Sequence, residues 1–176
     1  YIFVPDSAWL RYTNTLLAFC TVFPGMFWID HYLGLRGVFS NIRGNTRTCS
    51  PRPRGIMVLA GVACFALPLN WPTWFFPLVW LSLIFLIAPL QYNRDPDSIL
   101  HQCERGNYGP TLRMLLAGLI AGLFWEFFNF WARAKWVYTV PFLDELKLFE
   151  MPVAGFLGFP PFAVECAIIY KLLVWH

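Results

Sequence analysis

Apolar runs alternate with short polar loops along the whole chain. The runs cover residues 8–29, 56–69, 75–90, 111–131 and 153–175. A bilayer core of about 30 Å takes around 20 helical residues. The first, fourth and fifth runs meet that length, whereas 56–69 is short for a span and compatible with a re-entrant segment. Between the second and third runs, Asn70-Trp71-Pro72-Thr73-Trp74 reads as a tight interfacial turn, so 56–90 is predicted to form a helical hairpin. The first run, with Pro24-Gly25 as a kink, is expected to stop at Asp30-His31. Polar loops follow at 31–54 and 91–110, rich in Gly, Asn, Ser and Pro.

A further stretch, 141–150, places Phe142, Leu143, Leu146 and Phe149 on one helical face and Asp144, Glu145 and Lys147 elsewhere. That pattern predicts an amphipathic segment lying in the interface. Pro152 suits the first turn of the last helix, where a missing N–H costs nothing. The expected fold class is therefore all-α. It is one transmembrane domain over 1–176, a polytopic bundle of five membrane helices plus a short interfacial amphipathic helix.

Composition strengthens the membrane reading. Hydrophobic residues make up 58% of the chain and charged residues 13%, against about 25% charged in soluble domains. Mean hydropathy is +0.53. Aromatics reach 19%, with nine Trp, which suits two membrane interfaces to anchor. The net charge of +3 is small and its basic residues cluster in loops, which speaks to membrane orientation and against a nucleic-acid partner. Arg36, Arg43, Arg47, Arg52, Arg54, Arg94 and Arg105 all fall in the two loops that share a side with the C-terminus. Basic residues in short loops stay cytoplasmic, so the expectation is a bacterial inner-membrane protein with its N-terminus outside and C-terminus cytoplasmic. No basic region precedes the first apolar run and no small-residue cleavage site follows it, so no signal peptide is expected in the residues at hand, whether Tyr1 follows processing or an earlier segment is missing.

Several chemistries are argued against by what the motifs lack. Cys20, Cys49, Cys64, Cys103 and Cys166 show no CxxC spacing, and no metal site is expected. His31, His101 and His176 lie at a helix end, in a loop and at the terminus, so no haem ligand pair sits within the spans. P-loop, HExxH and GxSxG patterns are absent.

Two carboxylates inside apolar sequence, Glu126 and Glu165, ask for a reason, because such groups are costly in hydrocarbon. Gly118, Gly122, Glu126, Asn129 and Arg133 recur at helical spacing and share one stripe. The GxxxG pair invites a close helix neighbour. Glu126, Asn129 and Arg133 then read either as a hydrogen-bonded and ionic clamp between helices or as part of a site. Glu165 follows Pro160-Pro161, which are expected to disrupt the helix and leave carbonyls free beside the carboxylate. Facing each other, Glu126 and Glu165 would form an acid pair. Trp131, Trp136 and Tyr138 read as an aromatic belt or as a lid over a lipid-accessible cavity.

Trp125-Glu126, Trp136-Val137-Tyr138 and Glu150-Met151-Pro152, together with Glu165, resemble the small membrane-embedded lycopene cyclase and carotenoid hydratase families over residues 125–170. The chain carries Phe159-Pro160-Pro161-Phe162 where the cyclase pattern has paired acids after Pro. The resemblance implies acid-initiated carbocation chemistry on a polyene, with carboxyl groups as proton donors and aromatics stabilising positive charge. Two readings result. One is a non-catalytic subunit of a larger membrane complex, with membrane lipids and other membrane-protein subunits as partners and a lipid, quinone or pigment as ligand. The other is an enzyme acting on an isoprenoid, carotenoid or other lipid through Glu126 and Glu165, with Trp125, Asn129, Arg133, Trp136, Tyr138 and Glu150 lining the site.

Overall fold

A computed structural model describes residues 7–46, 48–138 and 145–174. The chain is an integral membrane protein. Five helical segments are long and apolar enough to span a bilayer, at Ala8–Leu35, Pro51–Asn70, Pro72–Tyr92, Gly109–Trp131 and Val153–Val174. Helix α1 is Ala8–Leu35 and α2 is Pro51–Asn70. The third span starts as the short α3 (Pro72–Phe75), passes through a 3-10 turn at Phe76–Leu78 that contains Pro77, and continues as α4 (Val79–Tyr92). A short helix, α5 (Ile99–Glu104), lies in the second polar loop. Helices α6 (Gly109–Trp131) and α7 (Phe159–Val174) complete the bundle.

Boundaries differ from the sequence expectation for local reasons. Helix α1 runs past Asp30-His31 to Leu35, because Asp30 is not a helix end but the partner of Arg113 on α6, at 2.8 Å. Helix α2 starts at Pro51, where proline in the first turn sacrifices no hydrogen bond, so this segment has 20 residues and is long enough to span, unlike the short run expected. Gln91 sits inside the last turn of α4, buried, and not in the loop. Pro152 lies in strand β2 (Met151–Pro152), which pairs antiparallel with β1 (Lys147–Leu148). The described part of the expected interfacial helix, from Glu145 on, is thus a turn and a β-hairpin; Phe142, Leu143 and Asp144 lie outside the described residues.

Helix α7 is the hub. It packs on α4 and α6, and α1 reaches it through Met26, which is buried with Ala163 and Cys166. Ring contacts of Phe23 with Phe162 and Phe27 with Tyr170 extend that seam. On the α4 side, Ala88 packs with Val164 and Ile168. The GxxxG pair makes the α6–α7 contact possible. A Cβ on Gly118 would strike the Phe159 carbonyl and Ala163, and one on Gly122 would strike the Phe159 ring. Helix α2 pairs mainly with α4 and forms one edge of the bundle.

At one end, here the loop end, the polar segments dock on each other. Gly44 N–H donates to the Gly106 carbonyl at 2.9 Å, and Arg43 bridges to Asn107. The Cys49 N–H donates to Glu104, whose carboxylate also accepts from the Tyr92 hydroxyl. Tyr92 stacks on His101 and lies under the Arg54 guanidinium. The opposite end carries the connector after α6 and the β-hairpin, and is called the hairpin end.

Candidate functional site

Helix α6 delivers Trp125, Glu126 and Asn129 to the hairpin end within its last two turns. Beyond Trp131 the chain leaves the helix in extended conformation and folds back, so the connector covers the residues just passed. Asn129 fixes that return. Its Nδ2 donates to the Trp136 carbonyl at 2.9 Å, and its Oδ1 accepts from the Trp136 N–H at 2.8 Å. An amide side chain matches a peptide's donor and acceptor together, which is why Asn suits this position.

The return brings Tyr138 over Glu126. Glu126 is fully buried, and its Oε1 accepts from the Tyr138 hydroxyl at 2.7 Å. Asn129 Nδ2 lies 3.5 Å from Oε2. Burial, then the Glu126 carboxyl beside it, push the Tyr138 phenol well above its ordinary range, while the Trp125 indole N–H opposes this weakly. Tyr138 is therefore a neutral donor at any physiological pH.

Glu150 occupies the tip of the β-hairpin and pairs with Lys135 of the connector. The turn has a cost, since Phe149 takes a left-handed backbone at φ 59°, uncommon for a bulky side chain. Ring contacts with Phe127 and Phe130 hold it there. Lys135 also lies 5.1 Å from the centre of the Phe130 ring. Trp125, Glu126, Asn129, Trp136, Tyr138 and Glu150 thus come together at one end of α6.

Two of the expected site residues stand apart. Arg133 is exposed and lies past the helix end, so the stripe of α6 stops before it; among the described residues Glu126 is hydrogen-bonded by Tyr138 and Asn129. Glu165 does not face Glu126. With Gly122 against Phe159 and Gly118 against Ala163, antiparallel packing puts the two carboxyls roughly ten residues apart in level, about 15 Å at 1.5 Å per residue. Glu165 is buried on α7, the helix that packs against α4. Nor do Pro160 and Pro161 break a helix beside it. They occupy the first turn of α7, where proline is tolerated, and the irregular backbone lies earlier, in the 3-10 stretch Val153–Gly158.

Sequence reasoning missed the partner of Glu150, Lys135, and a second polar cluster at the loop end. There Arg113 pairs with Asp30, and Lys171 pairs with Asp95 at 3.1 Å, beside the buried Gln91. The available signal was a set of polar residues set one turn inside the apolar boundaries of α1, α4, α6 and α7. Among the described residues no group of His, Cys, Asp and Glu has the arrangement of a metal site.

No protein-family model, characterised protein or solved structure matches the chain.

Proposed function

We propose that the protein is a non-catalytic subunit of a larger membrane complex, packing its apolar faces against partner helices and holding lipid, quinone or pigment between them. The observation that carries this reading is the separation of Glu126 from Glu165, each engaged by its own fold. Glu126 and Asn129 anchor the connector through Tyr138 and Trp136, and Glu165 sits in the α4–α7 contact. Intramembrane polar groups used this way hold helices and connectors in register, as expected where no water is available to satisfy them. Helices α1 and α2 leave broad apolar faces outward, including Trp9, Leu16, Trp28, Ile56, Leu59 and Phe65. The Arg-rich loop end favours the cytoplasmic side of an inner membrane, with the N-terminus outside.

Purification in mild detergent tests this. Stoichiometric membrane-protein partners or a bound pigment support the subunit role. An isolated monomer that turns over a polyene overturns it.

One contact favours a second reading, acid catalysis on an isoprenoid or carotenoid as the family resemblance implies. The Tyr138 hydroxyl and the buried Glu126 carboxyl form a proton-bearing pair beside Trp125. Glu126 would then be the single acid, without Glu165. Under that reading Glu126→Gln abolishes turnover with the fold intact.

A further inference from the structure

At the loop end, a cavity of about 250 Å³ lies between α1, α4, α5, α6 and α7. Met114, Val164 and Ile168 give it apolar lining, while Gln91, Arg113 and Lys171 line it with polar groups. It is smaller than the about 300–1,000 Å³ of pockets that take drug-sized ligands. Its size is that of a headgroup.

Gln91 is the informative residue. It is 4% exposed, and its Nε2 donates to the Ile168 carbonyl at 2.7 Å. That bond fixes the amide, because turning it over would set two oxygens against each other. The Oε1 is then a buried acceptor with no hydrogen-bond partner among the described residues. Buried acceptors are rarely left so. A donor from outside the chain would satisfy it.

The two cations of the cavity have capacity left. Arg113 gives Nε and Nη2 to Asp30, which leaves the Nη1 donors outside that pair. Lys171 gives two of its three N–H groups to Asp95 Oδ2 and the Asp97 carbonyl. An anion at Arg113 and Lys171, with a donor hydrogen reaching Gln91, describes one ligand chemistry. Basic pockets between membrane helices near a cytoplasmic surface take phosphate-bearing headgroups.

We propose that this cavity binds a phosphate ester carrying a hydroxyl or ammonium donor, its phosphate on Arg113 and Lys171 and its donor on Gln91 Oε1. Two sources carry that chemistry, a glycerophospholipid headgroup and a soluble phosphate ester. The inference deepens the lipid-binding part of the function proposed above and rests on it.

The test uses the full chain in detergent, with retained lipid read by native mass spectrometry and stability by thermal midpoint. Phosphatidylglycerol and phosphatidylethanolamine offer donors. Phosphatidylcholine has the phosphate but no donor hydrogen on its headgroup. The expected result is retention of the first two over phosphatidylcholine by about tenfold, the factor that one well-made hydrogen bond of 1.4 kcal/mol supplies. Gln91→Leu should erase that preference, and Lys171→Gln should weaken all three lipids. If glycerol phosphate alone raises the midpoint and displaces the lipids, the soluble ester is the ligand and the site stands. Equal retention of phosphatidylcholine, or unchanged binding in both variants, overturns the proposal. Should Gln91→Leu not fold, the half-exposed Lys171 carries the test by itself. Partner proteins are scored separately, so a partnerless monomer that still selects phosphatidylglycerol would sink the subunit role and leave this site in place.

Discussion

The Tyr138 hydroxyl donates to Glu126 Oε1 at 2.7 Å, joining the connector to a fully buried carboxyl on α6. This bond closes the hairpin end of the bundle. Tyr138→Phe leaves the carboxyl without its closest donor and should lower stability by about 1 kcal/mol. Thermal midpoints in detergent would measure it. Glu126→Gln keeps an acceptor oxygen and should cost less. A double-mutant cycle between the two should give a coupling of about 0.5 kcal/mol or more, and additive losses would remove the direct bond from the account.

The α6–α7 seam makes a sharper prediction. Gly122→Ala drives a methyl into the Phe159 ring and should destabilise by about 1–3 kcal/mol, the usual range for overpacking. Gly25→Ala is the matched control. It also adds one methyl in a span, but that methyl meets nothing within 4 Å, and alanine is the better helix former. It should be neutral or mildly stabilising. Equal losses at both positions would mean that the close approach at Gly122 is not what holds the seam.

Much of this arrangement was legible beforehand, and the parts that were not share a cause. Length and hydropathy located the spans because the bilayer sets both. The spacing of Gly118 and Gly122 announced a tight helix neighbour, now seen to be α7, and Glu126 and Asn129 lay on the same stripe as periodicity requires. Periodicity holds only while the helix lasts, however. Arg133 fell off the stripe because α6 ends at Trp131. The Glu126–Glu165 pair failed because sequence gives no axial offset between two helices, and the Gly122–Phe159 contact sets that offset. Pro160 and Pro161 were misjudged because a proline marks a helix start as readily as a break. Asp30 with Arg113 was invisible for the same reason as every long-range pair, a separation of 83 positions.

Asn129 predicts a local effect without a global one. Its two bonds to the Trp136 backbone are the tie that folds the connector back. Asn129→Leu removes both and should speed amide exchange at Trp136 and its neighbours, while α4 and α7 keep their protection. Uniformly faster exchange across the bundle would instead make Asn129 a core residue rather than a tie.

The loop end should be acid-sensitive. The Cys49 N–H holds the Glu104 carboxyl below its ordinary range, with the Tyr92 hydroxyl adding to the effect. A carboxyl with a depressed folded-state pKa contributes stability above its unfolded value, about 4.3, and loses it as the pH falls from there through the folded value. Docking of the first polar loop on α5 should therefore loosen below about pH 4.3. Exchange of the Cys49 amide against pH reads this directly. Glu104→Gln should flatten that limb, and an unchanged acid limb in the variant would place the sensitivity elsewhere.

Both functional readings treat Glu165 as structural, and its variants test that. It is buried on α7 where that helix packs against α4, and the neighbouring α7 positions Val164 and Ile168 pack into the apolar seam with Ala88. Glu165→Gln keeps the shape and one acceptor oxygen. If the residue only fills the α4–α7 contact, that variant should stay within about 1 kcal/mol of the parent, the net worth of one ordinary hydrogen bond. Glu165→Leu removes a buried polar group that makes no side-chain hydrogen bond among the described residues and should be neutral or stabilising, because burying an unpaired polar group is itself costly. A catalytic acid behaves differently. Both variants would then abolish turnover of an isoprenoid while leaving the thermal midpoint unchanged, and Glu126→Gln would retain it. That outcome would move the chemistry from the Tyr138–Glu126 pair to the middle of α7 and end the structural account of Glu165.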